Sequence, residues 1–190
     1  IWKRHEAMES LRPWCAQRHG ELSGLYDDFR LEYRPSMPIG EDSAATENNF
    51  REALMSAQAK ERATGVTAAG PHRDDFSLLI DQVDMGTFAS RGQARTIALT
   101  LRLAEAAYLS SVRQEAPIIL LDDVLSEMDS SRRLRVLEQV TQYQQVLITT
   151  TDLEPVQNFF GPAASYYRVG EGKVCPVAYQ PDGSQPVGTY

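Results

Sequence analysis

Two adjacent carboxylates, Asp122 and Asp123, close an unbroken aliphatic run, Ile118 to Leu121, inside the stretch PIILLDDVLSEMD from Pro117 to Asp129. Such a run suits a parallel strand covered by helices on both faces, and the carboxyl end of that strand is where open α/β sheets place their ligands. A Mg²⁺ ion that carries nucleotide phosphates wants hard oxygen ligands at a fixed point. Asp122 is expected to hold such an ion directly or through its water. Asp123 points to the other face of an extended strand and reaches the same site only if the backbone bends there. The competing reading is a buried strand whose aspartate merely caps a turn. Ser126 and Asp129 bracket the turn that follows, and Asp129 or Ser130 can cap a helix with Leu134, Leu137, Val140 and Tyr143 on its apolar face.

Three further stretches carry chemistry. In FASRGQAR, Phe88 to Arg95, Ser90 is a natural N-cap for a helix whose Ile97, Leu101, Ala104 and Tyr108 share one face and which runs to about Ser111. A hydroxyl, the free N–H groups around Gly92, the positive end of the helix dipole and the charges of Arg91 and Arg95 suit an anion, although an ordinary capped helix reads the same way. In GPHRDD, Gly70 to Asp75, His72 and Arg73 can reach a phosphate or carboxylate, or can hold a tight turn together. Gln145 to Ile148 is a short apolar strand ending in Thr149, Thr150, Thr151 and Asp152. Strand, helix, strand at this spacing predicts a parallel pair joined by a crossover, with the acids and the threonines on one rim.

The elements that must position these residues are read from periodicity. Ile1 to about His19 is helical with a thin stripe of Met8, Leu11 and Cys15, suited to an arm or lever or to a peripheral packing helix, and Pro13 is expected to kink or interrupt it. Phe29, Leu31 and Tyr33 alternate as a half-exposed strand. Thr46 to Thr64 reads as a second helix, with Phe50, Leu54 and Ala57 on one face and Gly65 as its end. Phe76, Leu78 and Ile80 form another strand. Tyr166 to Val169 and Lys173 to Val177 form a hairpin around Gly170 and Gly172, and Gln180 to Tyr190 is loop or tail.

Composition sets the limits on function. The 190 residues are 42% hydrophobic and 24% charged, ordinary for a globular chain, and no apolar run is long enough to span a bilayer. Cys15 and Cys175 are distant in sequence, and His5, His19 and His72 show no zinc spacing, so reduced thiols in a cytoplasmic protein are expected. A net charge of −7 repels a phosphate backbone in bulk, so any nucleic-acid contact must be a local basic patch. The first residue is Ile1, and no signal peptide is visible.

SRGQ at a helix start, a helix, aliphatics plus DD, SEMD, and a strand ending TTTD resemble, in that order, the signature motif, Walker B strand, D-loop and switch strand of an ABC-type ATPase head. Within that superfamily, GPHRDD, ASRGQART, LLDDVLSEMD and ITTTD together resemble the RecF family, SMC-like ATPases of bacterial DNA recombination, replication and repair. The motifs span Gly70 to Asp152 and are specific as an ordered set.

The resemblance implies an α/β fold: the second half of an ABC-type head, a parallel sheet flanked by helices, with the remnant of a helical arm. Residues 1–65 would end the arm and return to the head, and residues 66–190 would be head. It implies ATP and Mg²⁺ as cofactors, Asp122 serving the metal and Asp123 positioning the attacking water. Ser90, Arg91, Gly92 and Gln93 would contact the γ-phosphate held by a partner subunit, and Ser126 to Asp129 would run along the dimer interface. Thr151 stands where many such proteins carry histidine. Aspartate at position 123, where many have glutamate, fits a slow, switch-like ATPase. The implied partners are DNA, single-stranded or at single-strand junctions, a second copy bound through ATP, and RecO and RecR in loading RecA at gaps. The sequence holds no GxxxxGK[ST] loop, so these residues alone are expected to bind ATP weakly and hydrolyse none. A non-hydrolysing scaffold on the same fold is the alternative, and a transporter's nucleotide-binding subunit fits GPHRDD and the arm-like helices less well.

Overall fold

In the computed structural model, which describes residues 1–25, 27–126 and 128–179, packing divides the chain into two units, one of residues 1–115 and one from residue 116 onward. The first contains α1 (Trp2–Ser23), β1 (Phe29–Arg34), α2 (Ser43–Thr64), β2 (Asp75–Ile80), β3 (Val83–Asp84), α3 (Met85–Phe88) and α4 (Arg91–Arg113). Strands β1, β2 and β3 form one antiparallel sheet in that order, with Leu31 opposite Leu78. Asp81 and Gln82 join β2 to β3 with φ of 49° and 69°, the two left-handed residues that a tight two-residue hairpin demands.

Cys15 of α1, Phe29 and Leu31 of β1, and Ile97 and Ala104 of α4 form the centre of this unit, with Met8, Leu11, Trp14 and Leu78 packed against them. Helix α1 therefore contributes to the core of this unit. Its stripe looks thin in sequence because two of its buried positions are polar types, Arg18 and His19. His19 stacks on Phe29 with ring centroids 4.5 Å apart, and burial lowers its pKa against the opposing pull of Asp27. A neutral imidazole here packs as an aromatic. Pro13 does not interrupt α1, which continues to Ser23. Proline removes one N–H, whereas Cys15 and Leu22 beyond it are almost wholly buried and anchor the following turns.

Helix α2 starts three residues before the predicted Thr46. Asp42 is its N-cap, its carboxylate accepting the Ala45 N–H at 2.7 Å, while the Thr46 hydroxyl donates back to the Asp42 carbonyl at 2.8 Å. Gly65 ends it with φ 68°, the left-handed residue that closes many helices.

The second unit contains β4 (Ile119–Asp122), α5 (Ser130–Val140), β5 (Val146–Thr149), α6 (Glu154–Phe160), a 3₁₀ turn over 161–163, and the hairpin β6 (Tyr166–Gly170) and β7 (Lys173–Val177). Strands β4 and β5 are parallel, pairing Ile119 with Val146 and Asp122 with Thr149. Ile119 and Leu121 are buried, as are Val136, Leu137 and Val140 of α5, but Leu120 is 70% exposed. Strand β4 thus alternates instead of being covered on both faces, because the described residues cover a single face of this pair. Leu134, placed by periodicity on the apolar face of α5, is exposed, since the buried line runs through Val136 instead. The hairpin turns through Glu171 and Gly172, both at positive φ. Residues 180–190, expected as loop or tail, lie outside the described residues. No helix among the described residues is long and apolar enough to cross a membrane.

Candidate functional site

The parallel register of β4 and β5 brings Asp122 and Thr149 side by side at their carboxyl ends. The Thr149 hydroxyl donates to Asp122 Oδ1, and the backbone N–H of Asp123 donates to both the carbonyl and the hydroxyl oxygen of Thr149, each at 3.1 Å. Asp123 has φ 49°, so the strand breaks there into the left-handed region. That is the bend which a strand-end carboxylate pair requires. Both aspartates are exposed, and no basic side chain among the described residues pairs with either. Beyond them the chain turns: the Ser126 hydroxyl donates to the Asp123 carbonyl at 3.0 Å, and Asp129 caps α5 by accepting the Arg132 N–H at 3.0 Å. The Ser131 hydroxyl and the Arg132 amide hold the Asp129 carboxyl below its usual range. After β5, Thr150 Oγ1 accepts the Asp152 N–H at 3.1 Å and donates to the Asp152 carbonyl at 2.9 Å, leaving Thr151 exposed at the tip.

The start of α4 belongs to the first unit. Ser90 and Gln93 make a reciprocal capping box: the Gln93 N–H reaches Ser90 Oγ at 3.3 Å, and the Ser90 N–H reaches Gln93 Oε1 at 2.9 Å. Each side-chain oxygen thereby accepts one bond, while the hydroxyl proton and the amide NH₂ are not consumed by these bonds. With Arg91 exposed beside them, the start of α4 presents donors in fixed positions, an arrangement that suits an anion.

GPHRDD is a braced turn. The Arg73 N–H reaches the Gly70 carbonyl at 2.9 Å and Arg73 Nε donates to the Thr67 carbonyl at 2.8 Å. Gly70 sits at φ 129°, where a Cβ would come within 3.1 Å of the His72 ring. The brace itself is Asp74, which sequence reading passed over. Its side chain is fully buried and accepts from the Tyr33 hydroxyl, from the Ser36 N–H at 2.8 Å and from Arg4 at 3.3 Å, tying α1, β1 and the turn together. Burial pushes the Asp74 carboxyl up, but these donors outweigh it and hold the carboxyl below its usual value; burial and the Asp74 contact raise the Tyr33 phenol to about 12.

A carboxyl lowered in the folded state contributes stability above its unfolded pKa and loses it as pH falls through the folded one. Asp74→Ala is therefore expected to lower unfolding free energy by about 1–2 kcal/mol at neutral pH, because it removes a buried carboxylate that three donors share, although one of them, Arg4, is 46% exposed and can turn to water. The gap from the parent should shrink below about pH 4. Urea unfolding at pH 7 and pH 3.5 checks this; a gap unchanged between them would remove the charged carboxylate from the account.

Of the residues singled out by sequence, Asp122, Asp123, Ser126, Asp129 and Thr151 lie in the second unit, and Ser90, Arg91, Gly92 and Gln93 at the start of α4 in the first. The residue touching Asp122 is Thr149, the last residue of β5. Parallel register carried that information, and the three consecutive threonines obscured it. Among the described residues no group of three potential ligands stands close enough to enclose a metal. An exposed Asp122 carboxylate oriented by a hydroxyl fits a Mg²⁺ ion that takes its other oxygens from water and phosphates.

No protein-family model matches the chain. It is 34% identical over 174 residues to the DNA replication and repair protein RecF of Geobacillus sp. (strain WCH70), and 36% identical over 173 residues to that of Heliobacterium modesticaldum. Each match covers 90% of this chain and 46% of the relative, so the chain spans about half the length of the curated relatives it matches. Two solved structures of the recombination mediator RecF, one with ATP and one with an ATP analogue, superpose with TM-scores of 0.73 and 0.76 at 26% and 27% identity. They cover 92% and 94% of this chain, and 45% and 46% of their own. In sequence and in fold, the chain resembles the carboxyl-terminal half of the RecF proteins.

Proposed function

We propose that this chain is the catalytic-carboxylate and partner-sensing part of an ATP-dependent, DNA-binding recombination and repair protein. The carrying observation is the end of β4: Asp122 oriented by Thr149, with Asp123 turned into the left-handed region immediately after it. Bound Mg²⁺ would neutralise charge on the transferring phosphate. Asp122 would hold that ion, and Asp123 would orient a water and accept its proton. Ser90, Arg91, Gly92 and Gln93 would donate to the γ-phosphate on a second copy, Ser126 to Asp129 would face that copy, and Thr151 would stand near the phosphate. ATP would then close a homodimer on DNA, at single strands or single-strand junctions. RecO and RecR are the partners and RecA the protein loaded, in a cytoplasmic, slow ATPase switch. Residues 1–65 would close the arm of the longer protein.

A non-hydrolysing scaffold draws support from one observation, the engagement of Ser90 and Gln93 in capping their own helix. Asp122→Ala in the full-length protein separates the two readings. ATP affinity in the presence of Mg²⁺ should fall about 10–100-fold, with little change when Mg²⁺ is withheld. Titration calorimetry that finds identical Mg²⁺-dependent affinity for parent and variant would leave the scaffold standing.

A further inference from the structure

We infer that Arg133 is a positioning residue that couples the loop after β5 to the loop after β4, so that nucleotide sensed at one sets the shape of the other. The inference rests on the reading of these loops as phosphate-facing and partner-facing. Arg133 lies at the start of α5, where the helix dipole disfavours positive charge, so its place needs another reason. The contacts supply one. Nε donates to the Met128 carbonyl at 2.8 Å and Nη2 to the Ser126 carbonyl at 3.4 Å, both in the loop after β4. Nη1 reaches Asp152 Oδ2 at 3.3 Å, in the loop after β5.

One planar guanidinium therefore spans two loops that leave neighbouring parallel strands, and its fork fixes three acceptors in a single geometry. Asp152 is itself held by the turn with Thr150, so a shift of that turn moves the carboxylate. The Arg133 side chain is 23% exposed and its bonds to the Met128 and Ser126 carbonyls are half-buried, whereas Asp152 is 52% exposed, so the ion pair is the screened end of the bridge and the carbonyl bonds are the sheltered one. When the 150–152 turn moves, Arg133 must follow or lose a charged partner, and the Ser126 and Met128 carbonyls lose their donor with it.

The test uses the full-length protein. Arg133→Ala and Asp152→Ala should each leave ATP affinity of the monomer within about twofold, yet lower ATP-driven dimerisation and kcat about tenfold. The double variant should be no worse than the worse single. Arg133→Lys keeps the charge but not the fork and should recover only part of the loss. A purely structural residue would lower Tm and affect ATP binding and turnover alike. Additive losses in the double variant, or unchanged dimerisation and kcat in Arg133→Ala, would overturn the coupling. A nucleotide-free readout keeps it separate from the ATPase reading: backbone amides of 124–126, 128 and 129 should exchange about five- to tenfold faster in Asp152→Ala than in the parent. Equal exchange rates would overturn the coupling even in a protein that hydrolyses ATP, whereas faster exchange in a protein that binds no ATP would sustain it and reject the ATPase reading instead.

Discussion

Asp123→Asn in the full-length protein is expected to cut ATP turnover by about 10²–10⁴-fold while ATP affinity changes by less than about threefold. The amide is isosteric with the carboxylate and keeps an acceptor oxygen, so it still fits the end of β4. It cannot take the proton of an attacking water. The backbone at this position is held independently of the side chain, because the Asp123 N–H is bonded to Thr149 through two acceptors. Loss of function would therefore report chemistry and not misfolding. On the proposed cycle, in which hydrolysis reopens an ATP-closed pair, dimers should accumulate. Parallel measurements of ATP binding, single-turnover hydrolysis and sedimentation check the three parts. Parental turnover in this variant would remove Asp123 from the chemistry, and parental turnover in Asp122→Ala as well would assign the paired acids a structural role.

Ser90→Arg should abolish ATP-driven dimerisation and bring hydrolysis to background while a monomer still binds ATP. Arginine removes the hydroxyl and crowds the start of α4, where the proposed γ-phosphate donors stand. Loss of the cap costs α4 about 1 kcal/mol, small beside the burial of Ile97, Leu99, Leu103 and Ala104 along the same helix. Ser90→Thr keeps both cap and hydroxyl and should remain active. The sharper experiment mixes Ser90→Arg protein with a copy mutated in its phosphate loop. If each site takes its loop from one subunit and its α4 donors from the other, one site of the heterodimer carries both lesions and the other carries none. About a quarter of parental activity should return at equal mixing, since half the dimers are mixed and each has one intact site. No recovery, with heterodimers shown to form, would exclude a site completed in trans.

What was legible in the sequence was mostly local. The caps at Ser90 and Asp129, the stop at Gly65 and the hairpin before β7 each depend on a few neighbouring residues, so composition and spacing sufficed. The aliphatic run into Asp122 and Asp123 also belongs here, as does the strand, helix, strand spacing that predicted the β4–β5 pair. A bend at Asp123 is expected from requiring two consecutive strand residues to serve one place, and the structure makes it in the left-handed region.

The tertiary structure decided whatever depended on partners distant in the chain. Thr149, not its two successors, meets Asp122, because register selects one residue opposite another and a run of identical threonines cannot reveal it. The role of α1 was hidden by burial of Arg18 and His19, polar types whose fate depends on Phe29 and its neighbours and not on helical period. The exposure of Leu120 and Leu134 likewise reflects which surfaces meet, a property that an apolar residue does not carry in its own sequence. Asp74 and Arg133 make the same point for charge. Each is one member of a common doublet in sequence, and each is fixed in place by acceptors or donors that folding assembles around it: Arg4, Tyr33 and Ser36 for the first, Ser126, Met128 and Asp152 for the second. Local chemistry thus specified where the chain turns and caps, and long-range packing specified which of its polar groups are held in place to act.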